Sequence, residues 1–191
     1  IQMDVLEIQL LKEKFDVIEC SGVLHHMAYP LNGLKSLLGV LKNSGFLKLA
    51  LYSEYARKDI AKARNYISNN SFVPTKESIR DFREKVIADE IDNLKSLKDS
   101  PDFYSLSGCR DLCFHSHEQS FTITQINNIL ETNKLKFLGF FLPQKIRSLY
   151  MNSYPEDRRQ TNLENWHEFE QKNPKIFSGM YQFWVTNNIS C

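Results

Sequence analysis

The stretch FDVIECSGVLHHMAYP, residues 15–30, decides the fold. It opens as a buried-strand pattern with Phe15, Val17 and Ile18, breaks at Cys20-Ser21-Gly22 into small residues, and resumes as Val23-Leu24-His25-His26. Small residues at the end of a parallel strand admit a ligand or another backbone, and glycine takes the turn without steric strain. In open α/β sheets ligands bind just outside the carboxyl ends of the strands. The stretch therefore reads as strand, ligand-facing lip, then helix.

Downstream, Leu31, Leu34, Leu37, Leu38 and Leu41 form one apolar helical face over residues 31–43. Asn43-Ser44-Gly45 stops that helix, with glycine at the left-handed cap position. Phe46–Leu51 is the next strand, and Tyr52, Ser53 and Glu54 fall at its carboxyl end, on the ligand side. Upstream, residues 1–8 alternate loosely as a short strand carrying Asp4 and Val5.

Strung together, FDVIECSGVLHH, the leucine helix, the turn LKNSG and the strand FLKLALYS resemble the middle of a class I S-adenosylmethionine-dependent methyltransferase. That family's fourth strand reads FDxVxxxxxLHH; Tyr29-Pro30 stands where it often has Asp-Pro. The clear resemblance covers residues 1–53. A weaker one, to methyltransferase domains that follow tetratricopeptide repeats in some bacterial proteins, runs through Asp111–Thr122 and Trp166–Trp184. It implies S-adenosylmethionine as cofactor. Asp4 and Val5, at the end of the third strand, would bind the adenine, and Cys20, Ser21 and Gly22 would lie against the cofactor. The plain alternative for Asp4 is an exposed, idle acid.

The family's first strand carries a glycine-rich loop that cradles the methionine part of the cofactor, and its second ends in an acid that binds the ribose. The seven glycines, at 22, 33, 39, 45, 108, 139 and 179, never fall within three positions of one another, so neither element is present. By the resemblance the chain begins inside the third strand and is truncated or degenerate. The expected architecture is α/β: a Rossmann-like methyltransferase sheet lacking its first two strands, with a helical insertion and a C-terminal antiparallel hairpin. Without those strands the fourth becomes an open apolar edge, which proteins avoid exposing. Residues 1–8 would slide into the vacant place, or a second copy would cover it as a homodimer.

Composition adds bounds. Over 191 residues, 42% are hydrophobic and 25% charged, ordinary globular values, and the net charge of +1 gives no whole-chain argument for nucleic acid or an acidic membrane. No apolar run approaches the roughly 18 residues of a membrane span, and a cytoplasmic location is the default. Cys20, Cys109, Cys113 and Cys191 match no common zinc spacing. They read as reduced structural thiols rather than as a Cys113/His115/His117 metal cluster.

Residues 54–121 are too long for a plain crossover and read as a helical insertion that caps the site, set between the two parts of the main domain, 1–53 and 122–191. One helix carries Ala56, Ile60, Ala63 and Ile67 inward and basic residues on a solvated face. A second runs from Ile79 through Leu97. Thr122-x-x-Gln125 and Thr161-x-x-Glu164 are capping-box signatures. Leu135–Leu142 is a strand interrupted at Gly139, and Met180–Val185 is the last strand, slotted between its neighbours as the family's finishing hairpin is. Trp166, Phe169, Phe177, Tyr181, Phe183 and Trp184 read as core.

Methyl transfer requires no obligatory acid–base motif, because the cofactor carries the chemistry and the protein supplies alignment. His25 or His26 reads either as a base or substrate contact or as a structural pair. The segment Asp111–Glu118 is either a polar loop or a substrate-side wall. By alternation it would send Asp111, His115 and His117 to one side, and with Tyr52 and Glu118 these histidines form the substrate-side set. The acceptor stays open, as small molecule or protein, and an upstream repeat domain is expected in a longer parent. The rival reading is a non-catalytic methyltransferase remnant acting as a dimerisation or protein-interaction module.

Overall fold

The leucines of residues 31–43 and the alternating strand that follows meet as one α/β layer pair in the computed structural model, which describes residues 2–115 and 118–187. In chain order the elements are β1 (Phe15–Ser21), α1 (Pro30–Val40), β2 (Leu41–Ser53), α2 (Lys58–Asn69), α3 (Lys76–Ile87), α4 (Leu106–Cys113), β3 (Ser120–Phe121), α5 (Ile123–Thr132), β4 (Leu135–Phe140), α6 (Gln144–Ser153), α7 (Leu163–Lys172) and β5 (Tyr181–Asn187). They form two compact units, one of residues 1–56 with 118–191 and one of residues 57–117.

In the first unit the sheet order is β1-β2-β5-β4, with β3 paired to the end of β2. β1 runs parallel to β2, and β5 runs antiparallel to both β2 and β4, lying between them. Alternation decides which side chains face inward. Ile18 and Cys20 sit opposite Leu47 and Leu49, which in turn sit opposite Val185 and Phe183. Leu47, Phe183 and Val185 are fully buried under Leu34 and Leu37 of α1, Ile123 and Ile126 of α5, and Trp166 of α7. Each such side chain contributes about 1.5–3 kcal/mol by leaving water. On the opposite face, Asp16–Lys42 and Glu19–Lys48 pair across β1 and β2 at 2.9 and 2.8 Å; exposed pairs of this kind are worth about 1 kcal/mol or less.

The N-terminal residues depart from expectation. Val5–Leu11 is a 3₁₀ helix rather than a strand, capped by Asp4, whose Oδ1 accepts the Leu6 N–H at 2.9 Å. A strand there would have no ladder to join, whereas the helix seats on α1 at Gly39, where a Cβ would lie 2.7 Å from Gln9 Nε2. Among the described residues, 2–8 therefore do not fill the vacant place beside β1. Among the described residues β1 pairs with β2 alone, and Val17 is 56% exposed.

Gly45 is not a left-handed cap. Leu41 is already extended and begins β2, and the glycines with positive φ are Gly22 and Gly139. Gly45 is required by crowding instead: a Cβ there would lie 2.7 Å from Leu41 Cδ1 and 3.0 Å from the Asp16 carbonyl of β1. The Gly139 interruption is a register shift between Phe137 and Gly139, with φ 138° at the glycine.

Thr122 and Gln125 form the capping box, each side chain accepting the other's backbone N–H. The second box does not form. Asn162, one residue after Thr161, caps α7 and accepts the N–H groups of Glu164 and Asn165.

In the second unit α3 ends at Ile87, and left-handed residues at Asp89 and Asn93 break the long helix expected through Leu97. Short polar side chains tolerate that conformation best. Ala63, Ile67, Phe82, Leu97, Phe103, Cys109 and Cys113 form this unit's own core. Because α4 is helical through Cys113, alternation does not order Asp111 with His115.

Candidate functional site

β1 delivers the lip. Cys20 is buried beside Leu49, and burial pushes its thiol up against an opposing hydrogen bond to the Leu24 backbone, so it serves as a neutral wall. Ser21 is exposed at the strand end, and Gly22 turns the chain with φ 73°; a Cβ there would meet nothing within 4 Å, so conformation and not space requires the glycine. A single 3₁₀ turn, Leu24–His26, leads toward α1.

Beneath the lip lies an open cavity of about 730 Å³ lined by Asp4, Val5, Ile18, Cys20, Ser21 and Tyr29, among others. The cap on the 3₁₀ helix brings Asp4 and Val5 to the same cavity as the end of β1. Four of the five expected cofactor residues thus share one wall set, and Gly22 follows it directly. The volume lies within the usual range for small-molecule sites, about 300–1,000 Å³. An acid beside Val5, Ile18 and Cys20 suits a flat base with an exocyclic amine. These residues fit the adenosine part of S-adenosylmethionine, while no glycine cradle is present for its methionine part.

His25 and His26 differ in burial. His25 has no exposed surface; its ring lies 4.0 Å from the Tyr52 ring and 4.4 Å from His26, and its carbonyl accepts the Gln119 N–H at 2.8 Å. His26 is half-buried and meets Tyr52 edge-on at 5.9 Å. Tyr52, opposite Ser120 of β3, therefore joins the histidine pair to the end of β2. Glu118 belongs to the same unit, whereas His115 is exposed in the second unit. His117 lies outside the described residues.

The sequence reading missed a buried polar cluster at this end of the sheet. Glu170 of α7 has no exposed surface; Ser53 Oγ donates to its Oε1 at 2.6 Å, and Tyr181 Oη donates at 2.6–2.7 Å to its two oxygens. The available signal was its position on the inward stripe of α7, with Leu163 and Trp166. Trp166, Phe169, Phe177, Tyr181 and Phe183 are buried, and Trp184 is half-buried on the other face of the sheet.

Residues 1–49 match the family model described as a methyltransferase domain. Over all but 1% of its length the chain superposes on PKMT2 from Rickettsia typhi, with a TM-score of 0.69 at 15% identity, covering 38% of that chain. The structure of the same protein in complex with AdoHcy gives 0.68 at 17% identity, covering 39% of that chain. An uncharacterized protein of Synechococcus is 29% identical over 150 residues, 73% of this chain and 35% of the relative. A tRNA U34 carboxymethyltransferase of Helicobacter pylori is 36% identical over 104 residues, half of this chain and 40% of the relative. The chain thus spans about a third to two fifths of the length of the curated relatives it matches. The fold is thus that of a Rossmann-like methyltransferase sheet, and the match over residues 1–49 to a methyltransferase domain points to S-adenosylmethionine as the cofactor. No described helix is long and apolar enough to cross a membrane.

Proposed function

We propose that this chain supplies the adenosine-side wall and the acceptor-side strand end of an S-adenosylmethionine-dependent methyltransferase. The observation that carries the reading is the cavity at the carboxyl end of β1, where Asp4 and Val5 meet Cys20 and Ser21. When bound, the cofactor supplies an electrophilic carbon on a sulfonium, open to in-line displacement. Asp4 would receive the base amine, Val5 and Ile18 would flank the ring, and Cys20 and Ser21 would form the floor. Tyr52 holds the histidine pair, and the half-buried His26 is the member placed to take a proton from an acceptor. Glu118, in the same unit as the lip, extends the substrate side in this reading. The acceptor is left open, as a small molecule or a macromolecule.

Alignment of the reacting carbon needs the methionine part held as well as the adenosine part. With no glycine cradle in residues 1–191, the chain by itself binds the cofactor weakly. Calorimetric titration of S-adenosylhomocysteine tests the assignment: binding that weakens about tenfold or more in Asp4→Ala supports it, and equal affinity in the two proteins refutes it.

A second reading, a non-catalytic remnant that self-associates, is favoured by the open edge of β1, where Val17 is 56% and Phe15 37% exposed. Unpaired strand edges template pairing with another chain. Sedimentation of the chain beside Val17→Lys separates the readings: a dimer that the lysine dissolves supports the second, and a monomer at all concentrations removes it.

A further inference from the structure

Glu170 occupies a place where an apolar side chain would pack at lower cost. Its neighbours on the inward face of α7 are Leu163, Trp166 and Phe169, all buried. Taking a carboxylate out of water is expensive, and hydrogen-bond donors offset that only in part. The donors here come from two other elements. Ser53, 1% exposed, is the last residue of β2, and Tyr181, fully buried, is the first of β5. Ser53 Oγ also accepts the Ala56 N–H at 3.1 Å, and the next residue, Glu54, donates its N–H to the Phe121 carbonyl at 2.9 Å. One carboxylate thus ties α7, the start of β5 and the carboxyl end of β2 together.

Tyr52 immediately precedes the clamped serine. Successive side chains of a strand point to opposite faces, so fixing Ser53 inward fixes the direction of Tyr52, whose ring lies 4.0 Å from His25 and 5.9 Å from His26. We propose that Glu170 is a positioning residue: through Ser53 it sets the end of β2, and through Tyr52 it holds His25 and His26 in place at the lip. The geometry stands by itself; its bearing on catalysis rests on the transferase reading above.

Burial raises the Glu170 carboxyl, the Ser53 and Tyr181 hydroxyls oppose that rise, and the nearby Glu54 adds to it. Tyr55 faces Tyr181 from the loop after β2. Gln171, the next residue of α7, donates to Tyr55 Oη at 3.1 Å, and the ring of His167, one turn before Glu170, stands edge-on to Tyr55 at 6.2 Å. Once protonated, Glu170 becomes a donor and no longer accepts both hydroxyls as an anion does. The clamp then loosens, and the ring environments of His25 and His26 register the change.

The test is NMR of the chain with isotope-labelled histidine. Ser53→Ala and Glu170→Gln each move the His25 and His26 ring signals by more than a linewidth, whereas Ser53→Thr, which keeps the hydroxyl, leaves them at wild-type positions. In the wild type these signals carry a pH step that Glu170→Gln abolishes. If Glu170→Gln does not fold, the Ser53 pair decides. Variants that lower the melting temperature with both histidine signals unmoved overturn the proposal and make Glu170 purely structural. S-adenosylhomocysteine added to the same samples separates the two ideas: a wild type that fails to bind refutes the transferase reading, while the histidine shifts still decide the clamp.

Discussion

The Tyr150 ring lies flat on Trp166, with centroids 3.7 Å apart and planes 14° from parallel. The pair pins the segment between α6 and α7. Tyr150 Oη donates to Asp157 Oδ2 at 2.5 Å, Asp157 accepts the N–H groups of Thr161 and Asn162 at 3.1 and 3.0 Å, and Trp166 Nε1 donates to the Gln160 carbonyl at 2.9 Å. The same segment sets the start of α7, and so places Glu170.

Tyr150→Phe keeps the stack and removes the hydroxyl, at an expected loss of about 1 kcal/mol in denaturant unfolding at neutral pH. Burial raises the Asp157 carboxyl, but the bonds from Tyr150, Asn162, Thr161 and Gln160 outweigh it and hold it below the usual carboxylate range. A depressed carboxyl stabilises above its unfolded value, and that contribution is lost as pH falls through the folded one. The gap between wild type and variant should therefore narrow on acidification through the low carboxylate range; a pH-independent gap would contradict the assignment.

Glu170 has the opposite sign. Its raised carboxyl contributes stability below its unfolded value and loses it as pH rises through the folded one. Relative to Glu170→Gln, the wild type should be more stable in acid than at neutral pH. Chemical denaturation at a series of pH values reads this directly, and a wild-type advantage that grows toward neutral pH would count against a buried, anion-disfavouring site.

The two kinds of glycine predict different costs. Gly45→Ala pushes a Cβ against the Asp16 carbonyl and Leu41, and should cost about 1–3 kcal/mol by overpacking. Gly22→Ala meets open space but a left-handed φ, at about 1–2 kcal/mol. Gly22→Asn, which tolerates that φ, should recover part of the loss, whereas Gly45→Asn should be worse than Gly45→Ala. Thermal unfolding of the four variants distinguishes crowding from strain.

His25→Ala empties a fully buried site and should cost about 2–4 kcal/mol. His26→Ala, at a half-buried position, should cost about 1 kcal/mol or less. Equal losses would show that both histidines are structural.

Much of the first unit was legible because local signals agreed with the tertiary answer. The strand, lip, helix and strand over residues 15–53 follow from apolar period and small residues. Thr122 and Gln125 cap as their spacing says, and Gly139 marks a real register shift. The misses have physical causes. Whether residues 5–11 form strand or helix depends on a neighbouring strand that local pattern does not reveal. Gly45 looks like a helix stop because a cap and a crowded strand both demand glycine. Asn162 displaced Thr161 because Asp157 holds the Thr161 N–H instead. The lip was legible, but Glu170 was not: a lone acid on an apolar stripe acquires partners only when residues 53 and 181 arrive from distant parts of the chain.

The most direct test of the central claim is a two-dimensional amide NMR titration of S-adenosylhomocysteine into the 191-residue chain. The account predicts perturbations centred on Asp4, Val5, Ile18 and Cys20–Gly22, saturating weakly and absent with Asp4→Ala. Perturbations confined to residues 57–115, or none at millimolar ligand, would contradict it.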